Sequence, residues 1–286
     1  MKLQIYKTLW GHTGTLELAL SQANQAGFDG IEGPAPETVN DAQQMKNLLS
    51  DSGLGYIAEI TTAGTYVPDR RASLQQHVDS FALKLEHSIR LDPLFITCLG
   101  GCDAWEEEKN IVFFNTAMEL AESAGVTVSF ETHRSRAFFN PWVTDRIVKQ
   151  LPQIKLTCDY SHWCVVCERL MDSELDVLER LSSHAHHIHA RVGYEQGPQV
   201  PHPAAPEYRY ALRSHQSWWE MIWQQQVKCE RSLTTMTPEF GPDGYLQEHP
   251  YSRIPVGDLW EINRWMANEE RRHFDLFMTN RESGKR

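Results

Sequence analysis

The chain has 286 residues, of which 41% are hydrophobic and 23% are charged, and its formal net charge at pH 7 is −11. This balance is typical of a globular protein with a large core. The negative charge argues against a nucleic-acid-binding surface, because such surfaces concentrate Lys and Arg. It is compatible with a small anionic substrate, which needs only one or two local cations.

The N-terminal segment MKLQIYKTLWGH lacks the charged region and the long apolar run of a signal peptide. No stretch approaches the roughly 18 apolar residues that a membrane span needs. The six cysteines are therefore expected to be reduced thiols rather than a disulfide framework. These features predict a cytoplasmic protein with no membrane partner.

Short apolar strands alternate with amphipathic helices along the chain. The predicted strands are Leu3–Thr8, Gly30–Glu32, Gly55–Ile60, Leu94–Leu99, Val126–Glu131, Lys155–Asp159, His187–Val192 and Thr235–Phe240. The predicted helices are Leu16–Ala26, Val39–Ser52, Ala72–Arg90, Glu106–Ala124, Pro141–Gln150, Leu175–Ser183, Ser217–Glu230 and Leu259–Phe277.

Eight strands that are each followed by a helix predict an α/β protein with a single (β/α)8 barrel over residues 1–286. Gly27, Gly53 and Gly125 mark three of the helix ends. An open, doubly wound sheet is the alternative, but no Gly-rich phosphate-binding sequence follows the first strand.

The segment 193–213, after the seventh strand, contains four prolines and two glycines and is predicted to be irregular. In a barrel it lies at the C-terminal face, where barrel enzymes place their chemistry. It is either a rigid surface excursion or a cover for the substrate. In the second case, Arg191 and Gln199 are its substrate-facing polar groups.

Four consecutive predicted strands end in side chains that can bind a metal: Glu131, Asp159, His189 and Glu239. A single Asp at a strand end is more often a helix cap, but four adjacent strands share the pattern. Burying three carboxylates together is unfavourable unless a cation compensates for their charge. The set predicts one divalent ion, Mn²⁺ first, with Mg²⁺, Co²⁺ or Zn²⁺ as alternatives.

The seventh strand, HHIHARV, has two distinct faces because side chains alternate along a strand. Ile188, Ala190 and Val192 suit packing against helices, so the face with His189 and Arg191 is predicted to look into the barrel. His187 lies deeper on that face, where we expect a hydrogen-bonded histidine rather than a metal ligand.

The segments SFETH, CDYSH, HIHAR and TPEFG resemble the xylose-isomerase-like barrel superfamily, especially its ketose 3-epimerases and hydroxypyruvate isomerase. The resemblance implies that the four residues above bind the metal and that Glu131 and Glu239 are catalytic. It also implies that His162 binds the substrate, and the segment GFDGIEG places Glu32 at the mouth. His133 and Trp10 complete the predicted substrate site.

The chain departs from the epimerase pattern at two positions, where Ala137 and Glu195 replace a substrate-binding Glu and Arg. It offers Arg134, Arg136 and Arg191 instead. These arginines suggest a phosphorylated, carboxylated or otherwise modified sugar, whereas solvated surface arginines are the alternative for Arg134 and Arg136.

The predicted reaction is an isomerisation or epimerisation by proton transfer next to a carbonyl, through a metal-stabilised enediolate. A lyase that cleaves a keto-glycoside by β-elimination could use the same site. An endonuclease for abasic DNA is less favoured, because no adequate set of further metal ligands is evident in the sequence. An inactive sugar-binding barrel would not need the four ligands. The expected partner is a small carbohydrate, with no nucleic acid, and the chain is compatible with a homo-oligomer.

Overall fold

The computed structural model describes residues 1–242 and 244–283. Eight parallel strands form a closed barrel in the order β1 to β8, and β8 pairs back with β1. The strands are β1 (Lys2–Thr8), β2 (Gly30–Gly33), β3 (Gly55–Thr61), β4 (Ile96–Leu99), β5 (Val128–Glu131), β6 (Leu156–Cys158), β7 (Ala185–His189) and β8 (Leu233–Thr237). The predicted (β/α)8 barrel is confirmed.

The helices surround the barrel and begin or end near the predicted residues in most cases. They are α1 (Leu16–Gln25), α2 (Val39–Ser52), α3 (Leu74–Ile89), α4 (Glu107–Ser123), α5 (Pro141–Gln150), α6 (Ser161–Val166), α7 (Leu175–Ser182), α8 (Arg209–Lys228) and α9 (Leu259–Ser283). At the end of α2, Gly53 adopts a left-handed conformation with φ of 67°, as its position predicted. Within the described residues, no helix is long and apolar enough to cross a bilayer.

Several boundaries differ from the prediction, among them both ends of β7, which spans Ala185–His189 and not His187–Val192. Helix α8 begins at Arg209, not at Ser217, so the irregular segment after β7 ends at Tyr208. The prolines of that segment end at Pro206, which opens a short 3-10 helix leading into α8. Strand β8 ends before Pro238, which has no backbone N–H for the ladder. The short helix α6 was not predicted.

The side chains inside the barrel form layers, which change from apolar to polar towards the C-terminal ends of the strands. Tyr6, Ile57 and Phe95 form a buried apolar cluster of their own inside the barrel. Hydroxyl groups form a second layer, in which Thr157 Oγ1 lies 2.6 Å from Ser129 Oγ and 3.1 Å from Thr97 Oγ1. These filled layers support the side chains at the C-terminal ends of the strands.

Candidate active site

Four side chains from the C-terminal ends of β5 to β8 converge above the filled interior. Glu131 and His189 end β5 and β7, whereas Asp159 and Glu239 come just after β6 and β8. Their potential ligand atoms all lie within 4.8 Å of one another, and all four residues are buried. Residues predicted separately from four strand ends therefore form one cluster.

His189 is oriented so that one ring nitrogen faces the carboxylates. Its Nδ1 lies 3.1 Å from Glu239 Oε2 and 3.6 Å from Glu131 Oε1, and this buried atom has no hydrogen-bond partner among the described residues. Its Nε2 lies 3.0 Å from Glu32 Oε1 and donates a hydrogen bond to it. A histidine that donates one N–H to a carboxylate and offers its other nitrogen to a cluster of acids has the geometry of a metal ligand.

The charges of the cluster perturb its titration. Burial raises the pKa of Glu131 to about 7, with Glu239 adding to the shift and His189 opposing it. Burial also raises the pKa of Asp159, which Arg191 opposes. Burial lowers the pKa of His189, but the surrounding carboxylates outweigh it and hold that pKa well above its usual value. The cluster thus attracts positive charge, either as protons or as a metal ion that replaces them.

The positive charge of Arg191 lies next to the carboxylates of the cluster and partly balances them. Its side chain is 1% exposed, and its guanidinium donates to Asp159 Oδ2 and, over 3.0 Å, to Ser161 Oγ. It also lies 3.5 Å from Glu239 Oε2. The plane of the guanidinium lies near Tyr245, 4.8 Å from the ring centre. Arg191 therefore fixes Asp159 while facing the cavity beside the cluster.

Glu32 does not lie at the mouth, where the resemblance placed it. It is 1% exposed and accepts hydrogen bonds from His189 and, over 3.2 Å, from His187 Nε2. His187 is also bonded through Nδ1 to Thr235 Oγ1 at 2.7 Å, in agreement with its prediction as a buried histidine. In place of a contact with substrate, Glu32 orients the ring of His189.

A cavity of about 230 Å³ opens beside the cluster. This is below the roughly 300–1,000 Å³ of sites for drug-sized ligands and suits a small molecule. Among the predicted residues, those that line it are Trp10, Glu131, His133, Arg191 and Glu239. Glu59, which its position on the third strand makes a candidate for the mouth, also lines the cavity, as do Tyr66 and Tyr245, for which the sequence predicts no role.

His162 lies behind the cavity wall rather than in it. The residue is fully buried, its ring centre is 3.9 Å from that of His133, and it is absent from the lining of the cavity. Arg191 donates to its Nε2 over 2.6 Å, and its Nδ1 has no partner. Burial and the neighbouring cations keep the pKa of both histidines well below the usual value. His133 is therefore the ring that a substrate would meet first.

Gln199 also has a role different from the predicted one. Its amide oxygen accepts from the backbone N–H of Gly241 at 2.8 Å, and its amide nitrogen donates to the carbonyl of Gly241 at 3.1 Å. Both polar groups of the side chain are thus used within the protein. Gly241 in turn lies against Trp10, because a Cβ at this position would be 2.0 Å from the indole. Gln199 therefore holds in place the segment around Gly241, which contacts Trp10.

Arg136 is buried, contrary to the surface alternative. Its guanidinium donates to the carbonyls of Thr62 at 2.7 Å, Tyr66 at 3.1 Å and Gly101 at 3.4 Å. Arg136 therefore connects the loop after β3, which carries Tyr66, to the loop after β4. Arg134 is partly exposed and lies 4.9 Å from the ring centre of Tyr245. Arg134 is thus the arginine that remains at the rim.

Two further groups of potential ligands overlap the main cluster, although the sequence analysis found no adequate additional set. One combines Glu32 and His187 with His189, and the other combines His133 and His162 with Glu131. In the first group, both nitrogens of His187 and the Nε2 of His189 already bond to Glu32 or to hydroxyl groups, and in the second group His162 Nε2 is bonded to Arg191. These groups support the main cluster, in which the unpartnered Nδ1 of His189 lies.

Comparison with known proteins identifies a related family. The model of a family described as "Xylose isomerase-like TIM barrel" matches residues 20–198, more than half of the chain. A comparison with curated protein sequences finds no significant match.

Solved structures with this fold have different activities. An L-ribulose 3-epimerase has a TM-score of 0.68, with 13% identity, over 99% of this chain and 98% of its own. Endonuclease IV from Thermus thermophilus has a TM-score of 0.57, with 13% identity, over 95% and 98%. The IOLI protein with a bound zinc atom has a TM-score of 0.62, with 14% identity, over 94% and 97%. At these identities the likeness establishes the fold, and the choice of activity depends on the site.

Proposed function

This chain belongs to the family of xylose isomerase-like TIM barrels, and on that premise we propose that it is a divalent-metal-dependent enzyme that isomerises or epimerises a sugar or sugar derivative. The observation that carries the proposal is the buried, unpartnered Nδ1 of His189, which faces three carboxylates beside a small cavity.

The donor set fits a divalent ion. Glu131, Asp159, His189 and Glu239 would hold it, and three carboxylates with one imidazole favour Mn²⁺, with Mg²⁺, Co²⁺ or Zn²⁺ as alternatives. A bound ion would supply Lewis-acid stabilisation of the negative charge that develops on oxygen when a proton leaves the carbon next to a carbonyl.

The protein itself supplies the groups that move the proton. Glu131 and Glu239 both line the cavity and come from β5 and from the segment after β8, so they reach a bound substrate from different strands. One carboxylate would remove the proton and the other would return one, at the same carbon in an epimerase or at its neighbour in an isomerase. Arg191, which pairs with Asp159 and lies 3.5 Å from Glu239, would stabilise the negative charge of these two carboxylates and of the substrate.

The cavity wall favours a small carbohydrate. Trp10, Tyr66 and Tyr245 present aromatic surface, while Arg191 and His133 present hydrogen-bonding groups. A few polar groups in an otherwise apolar wall are typical of sites for small molecules. The limited volume of about 230 Å³ and the net charge of −11 favour this partner over a nucleic acid.

A lyase is the second candidate, and Glu59 favours it. This residue lies on β3 and lines the cavity, and burial together with the charges of Glu239 and Glu32 raises its pKa to about 8. A carboxyl group that holds its proton at neutral pH can protonate a leaving group. β-Elimination from a keto-glycoside needs such an acid in addition to the base that removes the proton.

Product analysis distinguishes the candidates. The protein is incubated with and without Mn²⁺ and a panel of keto-sugars and their phosphorylated and carboxylated derivatives, and the products are identified by NMR. Metal-dependent formation of an epimer or isomer supports the proposal. An unsaturated sugar with a released alcohol would identify the lyase, and nicking of abasic DNA without conversion of any sugar would contradict both.

His189→Ala tests the metal site, and His186→Ala serves as the matched control for removing a histidine from the same strand. His186 packs against Phe95, at the other end of the barrel from the cluster. We expect the first variant to lose both metal and activity and the second to retain both. Equal metal content in the two variants would refute the assignment of His189.

A further inference from the structure

A second cavity, of about 370 Å³, lies outside the barrel wall. Its walls come from the end of β1, helix α1, the segment after β8 and the start of α9. Tyr6 points into the barrel, so Lys7, the next residue of β1, points outward into this space. Trp10 lines both this cavity and the catalytic one, so its indole is their common wall.

Lys7 is the unusual feature of the second cavity. The residue is 5% exposed, yet within residues 1–242 and 244–283 it forms no ion pair. Its ammonium donates one long hydrogen bond, 3.3 Å, to the carbonyl of Thr8, and it lies 5.3 Å from the ring centre of Trp260. An ammonium has three donors, and a buried charge is costly unless it is paired. Lys7 thus has unused donors in the wall of this cavity.

The two carboxylates in the described part of the cavity wall have other partners. Asp258 Oδ1 accepts from the backbone N–H of Glu261 at 2.9 Å and so caps the start of α9. Glu248 pairs with Arg253 at 3.1 Å. The protein therefore offers Lys7 no anion from the described wall, and a ligand can supply one.

We propose that this cavity is a second small-molecule site, which binds an organic monocarboxylate through an ion pair with Lys7. The apolar body of the ligand would contact the ring of Trp260 and the side chains of Leu246 and Leu259, which line the same space. A single cation matches a single negative charge, whereas phosphate sites usually combine several donors or cations. The site is independent of the function proposed above, because its residues hold neither the metal nor the reacting carbons.

The charge of Lys7 makes binding dependent on pH. Burial lowers the pKa of this amine to about 8, so the protonated form dominates at neutral pH and is lost as the pH rises through that value. Among the residues that the structure describes, the other titratable groups around the cavity are His12, Asp258 and Glu248. Burial lowers the pKa of His12, so this ring is neutral throughout the same range. Affinity for a carboxylate is therefore expected to fall between about pH 7 and 9.

Calorimetric titration with benzoate tests the site, with benzamide as the neutral analogue and phenyl phosphate as the dianion. We expect benzoate to bind the wild type, and Lys7→Met to weaken it by about ten- to hundredfold, since a hydrogen bond to a charged group is lost. Lys46→Met is the matched control, because Lys46 is exposed and pairs with Asp92. This control should bind benzoate as the wild type does.

Thermal unfolding provides a check on the variant, because removing an uncompensated buried charge should preserve or raise the unfolding temperature of Lys7→Met. Unchanged benzoate affinity in Lys7→Met would place the ligand elsewhere and overturn the proposal. If that variant does not fold, a benzoate affinity of the wild type that is constant from about pH 7 to 9 overturns it instead. Failure of benzoate to bind, or tighter binding of benzamide or phenyl phosphate, would also contradict it.

Discussion

The substitution Glu32→Gln tests whether a buried carboxylate orients His189 toward a metal. Glu32 Oε1 accepts from His189 Nε2 at 3.0 Å, and Oε2 accepts from His187 Nε2 at 3.2 Å. Loss of such a supporting group usually reduces metal affinity by about 10- to 100-fold, which corresponds to roughly 1.4–2.7 kcal/mol. We expect weaker metal binding in the variant, with the fold intact.

The magnitude depends on how much of the hydrogen bonding survives. Gln keeps one acceptor for His189, and its amide nitrogen can donate to His187 Nε2 if the proton of that ring moves to the nitrogen facing Thr235. The variant then loses mainly the negative charge, and we expect a loss of about tenfold. Glu32→Ala removes the acceptor as well, and we expect a loss of about 100-fold.

Affinity is measured by competition for Mn²⁺ or Zn²⁺ with a chromophoric chelator, and circular dichroism verifies the fold. Glu59→Gln is the matched control, since Glu59 is a cavity-lining carboxyl on β3 with no hydrogen bond to His189 within the described chain. It should change the affinity by less than about threefold. Equal losses in the two Gln variants would mean that replacing any carboxyl group near the cluster weakens metal binding, and that the orientation of His189 by Glu32 is not responsible. Wild-type affinity in Glu32→Gln would refute the role of Glu32.

Three further results are expected. Glu239→Gln should lower kcat by about 10²- to 10⁴-fold, because it removes a group that transfers a proton. In deuterated water, the wild type should place deuterium at the carbon next to the carbonyl of the product. An unlabelled product together with a fully active Glu239→Gln variant would exclude proton transfer. Burial above all raises the pKa of Glu131 to about 7 and that of Glu59 to about 8, so in the metal-free native state these two carboxyl groups hold protons that the unfolded chain releases, and their contribution to stability is lost as the pH rises from about 4.5 to 8. Chelation should therefore lower Tm in calorimetry more at about pH 8 than at about pH 6, and an equal decrease would contradict this. Gln199→Ala should cost roughly 1–3 kcal/mol in denaturant unfolding, since it leaves polar groups of Gly241 buried without partners; an unchanged free energy of unfolding would show that these hydrogen bonds are dispensable.

The part of the site on the strands could be predicted because strand geometry is regular. Once the barrel is recognised, the ends of parallel strands lie at one face, and alternation decides which side chains face inward. This reasoning placed His189 and Arg191 on the inner face and His187 below them, as observed. The convergence of Glu131 with Glu239 follows from the same rule.

The loops could not be predicted in this way, because no period relates their residues to the cavity. Tyr66 and Tyr245 reach the site from the segments after β3 and β8, and neither position differs in sequence from an ordinary surface aromatic residue. Arg136 was open to a surface interpretation because its acceptors are backbone carbonyls, which the sequence does not reveal. The place of Gln199 in the segment after β7 predicts a contact with substrate, and the sequence does not reveal its hydrogen bonds with Gly241, 42 residues further along the chain.

Charge balance explains why these separate elements are compatible with one divalent ion. Glu131, Asp159 and Glu239 carry a formal charge of −3 when ionised, and the guanidinium of Arg191, paired with two of them, reduces it to −2. The neighbouring carboxyl of Glu59 has a pKa of about 8 and adds no full charge at neutral pH. A divalent ion then balances the charge of these four residues, while the ionised Glu32, which accepts from His189 Nε2 at 3.0 Å, adds a further negative charge behind the ring. The arginine thus does more than face the cavity, because it offsets the charge of one of the carboxylates that a divalent ion would otherwise have to balance.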